Sequence, residues 1–475
     1  MPSDRRYTAR VDLPVDAETA FAYHERPGAL RRLVPPWEDV TVEHSDGSLE
    51  AGSRVVLVNK MFGLSVRWVA EHTRYEPPHL FADTQVSGPF ERWDHVHRFD
   101  GSSGDASTLT DDITYRVPFG PAGRVLGGGT ARRTIERMFA YRHRITRDDL
   151  DLFQRYDRRP LTVAISGMSG MVGSSLAAML RLFGHRVIRL VRKPSDDPDE
   201  VAIWEGQDDG NAGGWRDAMS GIDAVVHLAG KSIADQRWTD EVKRQIRDSR
   251  IDLTTSLARR LTSLESKPSV VLSASAIGIY GDRGTTRLTE SDVDPDNDDF
   301  LVSVARDWES AADPLREAGV RVVHPRLGIV LSSDGGALQK SLLPAKFGGG
   351  RLGSGKQVWS WIALDDVVGG MYHAIHTDSL EGPVNFVAPS PVTNHHFANR
   401  LSLILNRPIN FPAPAFALRL ALGEMADALL LRSADVSADK LTGSGYRLRF
   451  AELDDCLRYT IGKDRKPSVA TEAAA

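Results

Sequence analysis

The chain has 475 residues, which exceeds the usual size of one domain and predicts two or three. A net charge of −5 offers no basic surface for nucleic acid, so we expect a small-molecule substrate. The single cysteine, Cys456, excludes an internal disulfide framework, and the N-terminus has no apolar leader, which together favour a cytoplasmic protein. The apolar run 411–431 contains Arg419, Glu424 and Asp427, which favours amphipathic helices over a membrane span.

The first 153 residues combine helical and strand-like patterns. Residues 15–33 have helical character, and an apolar stripe at helical spacing runs through residues 131–153. The strand-like segments between them are 54–59, 64–72, 80–86, 93–99 and 108–117. A meander of strands followed by one long helix predicts an α+β domain in which the sheet curls around the helix.

Two stretches of this region are similar to a known superfamily. The segments FAYHERPGALRRLVPPWEDV (21–40) and GPFERWDHVHRF (88–99) resemble the helix-grip domains, which are START-like and polyketide-cyclase-like. The resemblance covers roughly residues 5–150. It implies a cavity between helix and sheet that holds an apolar ligand or serves regulation, and it does not name the ligand.

His95 and His97 lie two residues apart on a predicted strand, so their side chains share one face. A metal ion needs a third ligand, and the sequence marks none, so we expect no metal site. Both histidines are interpreted as polar residues that line a cavity or the sheet surface. Asp83, Gln85 and Asp94 carry the same ambiguity.

A second domain is predicted after a short charged linker, residues 154–160, which ends in proline. The apolar run 161–166 leads directly into a glycine-rich turn and then into an apolar helical run. Such glycines permit a tight turn, a close approach of the backbone to phosphate, and close packing of helix on strand. The helix N-terminus favours an anion. The residues predicted to contact a dinucleotide here are Gly167, Ser169, Gly170, Met171, Val172 and Gly173.

Four further apolar runs, 186–192, 224–228, 269–281 and 321–331, alternate with helical patterns and predict a doubly wound parallel sheet. Small residues at the ends of these strands would let a cofactor lie across the sheet edge. The predicted contacts there are Leu228, Ala229, Gly230, Ser273 and Pro325.

The choice between the two nicotinamide dinucleotides depends on the end of the second strand. Arg192 stands there, 192 − 173 = 19 residues beyond the last glycine, and Lys193 follows it. A guanidinium favours the 2′-phosphate, so we predict NADP(H) over NAD(H). A solvent-exposed basic strand end is the alternative.

Three longer segments resemble the atypical, extended-type short-chain dehydrogenase/reductases that are often called nucleoside-diphosphate-sugar epimerase-like. They are LAGKSIADQRWTDEVKRQIRDSRI (228–251), SASAIGIYGD (273–282) and LGSGKQVWSWIALDDVVGG (352–370). The resemblance implies an NAD(P)-binding Rossmann domain over residues 161–475 with a small C-terminal substrate subdomain at about 335–465. Extended-type members often pair through two helices of the Rossmann half, so a homodimer is one expectation, and a first domain that blocks this surface is the alternative.

This superfamily uses a Ser or Thr, a Tyr, and a Lys four residues after the Tyr, to polarise and protonate a substrate oxygen. Ser275 stands at the first position, but Phe300 and Val304 have the spacing that the Tyr and Lys should have. Tyr280 is the nearby phenol and the candidate acid, and a ring that merely lines the cleft is the alternative. Relatives commonly have a His where this chain has Ala363.

Other polar residues lie in stretches that resemble substrate-facing loops. The candidates for substrate contact are Lys231, Gln357, Trp361 and Asn385, followed by Arg237, Trp238 and Arg250, and each could instead be structural. Asp365 and Asp366 are expected to cap the helix that follows them.

Two functions stay open. One is an NADP(H)-binding oxidoreductase or epimerase-like enzyme of unknown substrate, with an unusual proton donor. The other is a non-catalytic NADPH-binding sensor or scaffold. A sugar-nucleotide epimerase ranks below both, because the sequence shows no base that would transfer the proton.

Overall fold

The computed structural model describes residues 4–61, 64–101, 105–157, 159–193, 196–204, 214–408, 411–464 and 470–471. Its internal contacts divide the chain into two compact units. The first unit comprises Met1–Arg159, Arg181–Gly184 and Arg458–Ala475, and the second comprises Pro160–Leu180 and His185–Leu457.

The first unit is built on an antiparallel sheet of eight strands in the order β2-β3-β4-β5-β6-β7-β1-β24. The strands are β1 (Arg5–Leu13), β2 (Val40–Ser45), β3 (Arg54–Met61), β4 (Leu64–Glu76), β5 (Leu80–Ser87), β6 (Arg92–Gly101), β7 (Ser107–Arg116) and β24 (Ala470–Thr471). The helices are α1 (Ala17–Glu25), α2 (Ala29–Leu33) and α3 (Gly120–Phe153).

The apolar stripe of α3 packs on one face of this sheet. Ile135 and Phe139 of the helix lie in one buried cluster with Ile113 of β7 and Trp93 of β6. The predicted α+β helix-grip arrangement is confirmed. The helix begins eleven residues before its predicted start (131 − 120 = 11), and the sequence patterns did not predict β1 or β2.

A buried ion pair joins α2 to α3. The guanidinium of Arg32 donates two hydrogen bonds of 2.8 Å to the carboxylate of Asp149, and the Tyr23 hydroxyl donates a third of 2.9 Å. The Arg32 and Asp149 side chains are 4% and 0% exposed. Such a pair contributes stability only while both partners remain, because either charge alone would be buried without compensation.

The second unit is centred on a parallel sheet in the order β10-β9-β8-β11-β12-β15, with β20 paired to the far side of β15. The strands of this sheet are β8 (Thr162–Ser166), β9 (Arg186–Val191), β10 (Glu200–Ala202), β11 (Ala224–His227), β12 (Val270–Ser273), β13 (Ser275–Ala276), β15 (Arg321–Leu327) and β20 (Gly382–Phe386). Counted from β8, this is the doubly wound order 3-2-1-4-5-6, so the predicted Rossmann sheet is confirmed.

Helices connect the parallel strands and continue into the C-terminal part. They are α4 (Met171–Leu182), α5 (Trp215–Ala218), α6 (Asp240–Thr262), α7 (Phe300–Ser310), α8 (Asp313–Glu317), α9 (Gly336–Lys346), α10 (Leu364–His376), α11 (Asn394–Leu405), α12 (Ala415–Leu422), α13 (Glu424–Ala426), α14 (Asp439–Gly443) and α15 (Leu453–Thr460). A 3-10 turn spans Ile277–Tyr280, and a π-helical turn spans Asp427–Leu431.

Short strand pairs complete the second unit. They are formed by β14 (Arg287–Leu288), β16 (Ile329–Leu331), β17 (Gly349–Leu352), β18 (Val358–Trp359), β19 (Trp361–Ala363), β21 (Val392–Thr393), β22 (Phe411–Ala413) and β23 (Asp435–Val436). They pair as β14-β23, β16-β19, β17-β22 and β18-β21. Among the described residues, no helix has both the length and the apolar character that crossing a membrane requires.

The Arg32–Asp149 pair yields a stability prediction. Replacing Asp149 with Asn removes the carboxylate that receives two hydrogen bonds from the buried Arg32 guanidinium, so D149N should lower the free energy of unfolding by about 3–5 kcal/mol. Urea denaturation measures the loss. The matched control is E43Q, which removes an exposed ion pair with Arg67 and should change little. Equal effects of the two variants would contradict the assigned role of the buried pair.

Candidate functional site

The glycine-rich turn connects β8 to α4, and two of its glycines have no room for a side chain. Gly167 has a φ of +72°, and a Cβ there would lie 2.8 Å from the carbonyl group of Leu228. A Cβ on Gly173 would lie 2.4 Å from the carbonyl oxygen of Gly167. Glycine is therefore required at both positions, at the first by backbone conformation and crowding and at the second by the packing of α4 on the turn.

The middle of the turn is open. Ser169 and Gly170 are exposed, and the nearest atom to a Cβ on Gly170 would be the Gly167 carbonyl oxygen at 3.3 Å. Met171 and Val172 follow as the first residues of α4, whose leading N–H groups have no partner within the helix. This combination of an open backbone and a helix N-terminus fits a pyrophosphate.

The neighbouring strand ends offer a further polar contact. Leu228, Ala229 and Gly230 directly follow β11, next to the turn. Ser273, the last residue of β12, has a buried hydroxyl with no hydrogen-bond partner among the described residues. An unpaired buried hydroxyl is costly unless a ligand completes it, so this position also fits a bound dinucleotide. Pro325 is buried within β15.

A buried chain of hydrogen bonds holds the ends of β8 and β11 together. The Ser166 hydroxyl lies 2.7 Å from Nδ1 of His227 and accepts from the backbone N–H of Leu228 at 3.0 Å. Nε2 of His227 lies 3.1 Å from the Thr254 hydroxyl, which also accepts from the Trp308 indole at 3.1 Å. Burial lowers the pKa of His227 to about 4, so the neutral imidazole bridges the two hydroxyls.

The predicted NADP(H) determinants lie at the carboxyl end of β9. Arg192 and Lys193 directly follow the strand, and both side chains are exposed. Arg186 at the opposite end of β9 lies close to Asp199 instead, at 3.4 Å.

The predicted catalytic residue Ser275 belongs to a buried ionic network. Its hydroxyl donates a hydrogen bond of 2.6 Å to Oε1 of Glu309 on α7. Arg326 on β15 donates to both carboxylate oxygens of Glu309 at 2.8 Å. Burial opposes ionisation of Glu309, but the Arg326 guanidinium holds the pKa of the carboxyl below its usual value.

The other predicted catalytic residue, Tyr280, joins the same network. Its hydroxyl accepts from Arg326 at 2.9 Å and donates to Oδ1 of Asn385 at 2.6 Å. The side chain is fully buried, which raises the pKa of Tyr280 to about 12 despite the adjacent Arg326 charge. Asn385 completes the arrangement with a buried Nδ2 that has no hydrogen-bond partner in the described chain.

Helix α7 carries Phe300 and Val304, which the sequence places at the positions expected for the Tyr and Lys. Phe300 packs edge-on against Trp238, with ring centroids 5.2 Å apart, and Val304 is buried. Neither side chain has a proton to transfer. Trp238 itself donates from its indole to the carbonyl oxygen of Ile233, so its role here is packing.

Two of the remaining candidates for substrate contact, Gln357 and Trp361, are hydrogen-bonded to backbone carbonyl oxygens. Gln357 donates from its amide to the carbonyl oxygens of Leu352 and Leu430, and the Trp361 indole donates to that of Ser390. Both side chains are buried. Lys231 is half-buried, directly beyond Gly230.

The Arg250 guanidinium stacks over Trp308 and donates to the carbonyl oxygen of Lys231 at 2.9 Å. Burial lowers the pKa of Arg250 to about 10. Arg237 is exposed and lies beside Gly423.

The expected capping role of the acids at α10 is wrong for Asp366. The N-cap position is Ala363, which makes no side-chain hydrogen bond. The Asp366 carboxylate instead accepts from the backbone N–H groups of Arg449 and Phe450, at 2.7 and 3.0 Å, and from the Tyr446 hydroxyl. It thereby anchors the C-terminal segment on α10.

In the first unit, the polar residues Gln85, Asp94 and Asp83 have different surroundings. The Gln85 amide closes the turn between β5 and β6 through both backbone groups of Phe90. Asp94 accepts from Thr84 at 2.8 Å and lies on the other sheet face from its neighbour His95. Asp83 lies within 4 Å of both His95 and His97, as part of a buried group considered below.

The sequence patterns missed three residues of the ionic network, namely Glu290, Glu309 and Arg326. The backbone carbonyl of Glu290 accepts from Arg326, and its carboxylate accepts from the Asn385 N–H. One signal was available, because Arg326 interrupts the apolar strand run 321–331, and a charge in a buried strand requires a partner. No comparable signal marked Glu309.

Comparisons with known proteins cover both units. The sequence model of the NAD dependent epimerase/dehydratase family matches residues 163–387. The model for polyketide cyclase / dehydrase and lipid transport matches residues 13–140, and a domain of unknown function matches residues 413–460. An epimerase family protein of Mycobacterium leprae is 37% identical over 305 residues, which are 63% of this chain and 96% of that protein.

Two solved structures are also similar. The nucleoside-diphosphate sugar epimerase from Corynebacterium glutamicum has a TM-score of 0.76 at 32% identity, and the match covers 96% of this chain and 90% of that one. A human epimerase family protein crystallised with NADPH has a TM-score of 0.56 at 29% identity, covering 63% of this chain and 99% of that one.

The His227 bridge predicts a pH dependence. Since its folded pKa lies near 4 and an unfolded histidine titrates near 6.5, its stabilisation is complete above pH 6.5 and is lost as the pH falls towards 4. The loss should approach roughly 3 kcal/mol. H227N should therefore be less stable at neutral pH but lose less stability on acidification, as urea unfolding at several pH values would show. H396N, at an exposed histidine, is the control and should follow the wild type, and a wild-type slope in H227N would refute the assignment.

Proposed function

The chain belongs to the NAD dependent epimerase/dehydratase family, and from that premise we propose that it is an NADP(H)-binding oxidoreductase of a small-molecule substrate. The observation that carries the proposal is the turn between β8 and α4. Gly167 and Gly173 are held there by close packing, while Gly170 leaves the backbone open to an anion. The similarity of the first unit to polyketide cyclases and lipid-transport domains supports an additional apolar ligand.

Residues of the second unit are assigned to the phosphate groups of the cofactor and to one further contact. The N–H groups at the start of α4 bind the pyrophosphate, and the unpaired Ser273 hydroxyl provides a contact at the end of β12. Arg192 and Lys193 bind the 2′-phosphate, which favours NADP(H). The human relative crystallised with NADPH supports this preference. When bound, the nicotinamide supplies or accepts a hydride.

Proton handling is assigned to Ser275 and Tyr280. Glu309 orients the Ser275 hydroxyl, and Arg326 places a positive charge beside the phenol, as the missing Lys would. A positive charge at this place stabilises phenolate and favours proton release from Tyr280. The phenol reaches a substrate oxygen only if its hydrogen bond to Asn385 is exchanged, since both sides of the hydroxyl are occupied.

That same burial favours a second candidate function. A phenol that is fully buried, with its pKa raised to about 12, is a weak acid at neutral pH. The ionic network would then be structural, and the protein would bind NADPH as a sensor or scaffold without turnover.

Calorimetric titration with NADPH and NADH tests the cofactor assignment. The wild type should bind NADPH more tightly than NADH. R192A should weaken NADPH binding by about tenfold or more, because a charge-assisted contact is lost, and should leave NADH unchanged. R186A, at the other end of β9, is the matched control. Binding of neither dinucleotide to the wild type would overturn the proposal.

A turnover assay separates the enzyme from the sensor. Absorbance of NADPH is followed after small-molecule fractions of a cell extract are added to the purified protein. An enzyme should consume NADPH, and S275A and Y280F should each slow this by about 100-fold or more. Y372F removes a buried hydroxyl on α10 outside the network and is the control. Binding of NADPH without consumption by any fraction would favour the sensor.

A further inference from the structure

Beneath α3, one face of the sheet in the first unit collects ionisable side chains from three adjacent strands. Asp83 of β5 stands directly opposite His95 of β6. His97, two residues further along the same face of β6, stands directly opposite Asp111 of β7. Strand register therefore brings together two imidazoles and two carboxylates from three consecutive strands.

The spacing of three of these groups differs from that of a hydrogen-bonded network. Oδ2 of Asp83 lies 3.5 Å from Nδ1 of His95 and 3.7 Å from Nε2 of His97, which is too long for strong hydrogen bonds. One atom from each residue lies within 4.8 Å of the others. Ligands about 2.0–2.1 Å from a tetrahedral Zn²⁺ lie roughly 3.3–3.4 Å from one another, close to the two distances from Asp83 to the imidazole nitrogens.

Asp111 lies on the other side of the two imidazoles from Asp83. Its Oδ1 is hydrogen-bonded to Nε2 of His95 at 2.9 Å, and it lies 2.7 Å from Nδ1 of His97, whose ring is not aligned for a hydrogen bond. Nδ1 of His95 and Nε2 of His97 face Asp83. Oδ2 of Asp111 lies 2.5 Å from Nε2 of His143 on α3. Carboxylates placed behind histidine ligands in this way orient the rings and raise their basicity in metal sites.

The surroundings hold the rings in place and restrict water. The side chains of His95 and Asp111 are 4% and 3% exposed, and those of His97 and Asp83 are 12% and 15%. Phe81 stacks on His97 with ring centroids 4.0 Å apart. Carboxylates buried this deeply require a positive charge beside them, which either a protonated imidazole or a bound cation provides.

We propose that Asp83, His95 and His97 bind one divalent transition-metal ion of the Zn²⁺ class, with Asp111 as the residue that positions the His95 imidazole. Two imidazole nitrogens suit Zn²⁺ and exclude a preference for Mg²⁺ or Ca²⁺, which take oxygen ligands. Three protein ligands leave a fourth coordination position for water or a bound molecule. The sequence alone indicated only the two histidines, because the third ligand comes from the neighbouring strand.

The test uses the full-length protein and Zn²⁺ as the probe. After chelator treatment and dialysis, calorimetric titration should show one Zn²⁺ bound per chain, and mass spectrometry should find the metal retained after gel filtration. Zn²⁺ should also raise the thermal unfolding midpoint of the wild type, a measurement that requires no variant. Absence of retained metal, of binding heat and of a thermal shift would overturn the proposal.

Variants locate the ion. D83N and H97Q should each weaken Zn²⁺ binding by at least about tenfold, and D111N should weaken it by about 10–100-fold through the misplaced His95 imidazole. H44Q removes an exposed histidine of β2 and should bind as the wild type does. Wild-type affinity in both D83N and H97Q would place the ion elsewhere and refute the site. Far-UV circular dichroism identifies any variant that fails to fold, and the wild-type titration decides the proposal in that case.

Discussion

The contact that the second unit depends on is the packing of Gly173 against the carbonyl oxygen of Gly167. A Cβ would lie 2.4 Å from that oxygen, so no other residue allows α4 to approach the turn so closely. This approach fixes the helix N-terminus directly after β8, at the edge where the parallel strands end. At the same edge, the Ser166 hydroxyl accepts a hydrogen bond from the Leu228 N–H. Backbone packing therefore determines the place where an anion can bind.

The buried ionic network joins α7 to β13, to β15 and to the 3-10 turn that contains Tyr280. Helix α7 presents Phe300 and Val304 and contributes Glu309 to a pair with Arg326. A bidentate buried pair requires both partners, and it keeps Ser275 and Tyr280 in one orientation. Any chemistry at this place must work against that rigidity, and burial of the phenol therefore favours the proposed sensor function over the enzyme.

Local patterns predicted the glycine turn, the parallel sheet, the meander of the first unit and its long helix, because each depends on neighbouring residues. β1 was not predicted, although its polar residues alternate with the buried Tyr7, Ala9 and Val11 in the pattern typical of a strand. The pairing of Asp83 with His95 was beyond local patterns, since register between strands is a non-local property. Asp366 was assigned to a cap from its position near a helix start, whereas tertiary contacts direct its carboxylate to the chain at Arg449.

The inner face of the first unit combines two chemistries that constrain any occupant. Trp68, Phe90 and Trp93 form an aromatic cluster, with the Trp68 and Trp93 ring centroids 5.1 Å apart. His95 lies next on the same face as Trp93, so the charged group and the aromatic cluster are continuous along β6. Within this group the ionisable side chains have one another as partners, since Oδ1 of Asp111 lies 2.9 Å from Nε2 of His95 and Asp83 lies within 4 Å of both histidines. The proposed ion would therefore lie where this group meets the aromatic cluster of the same face.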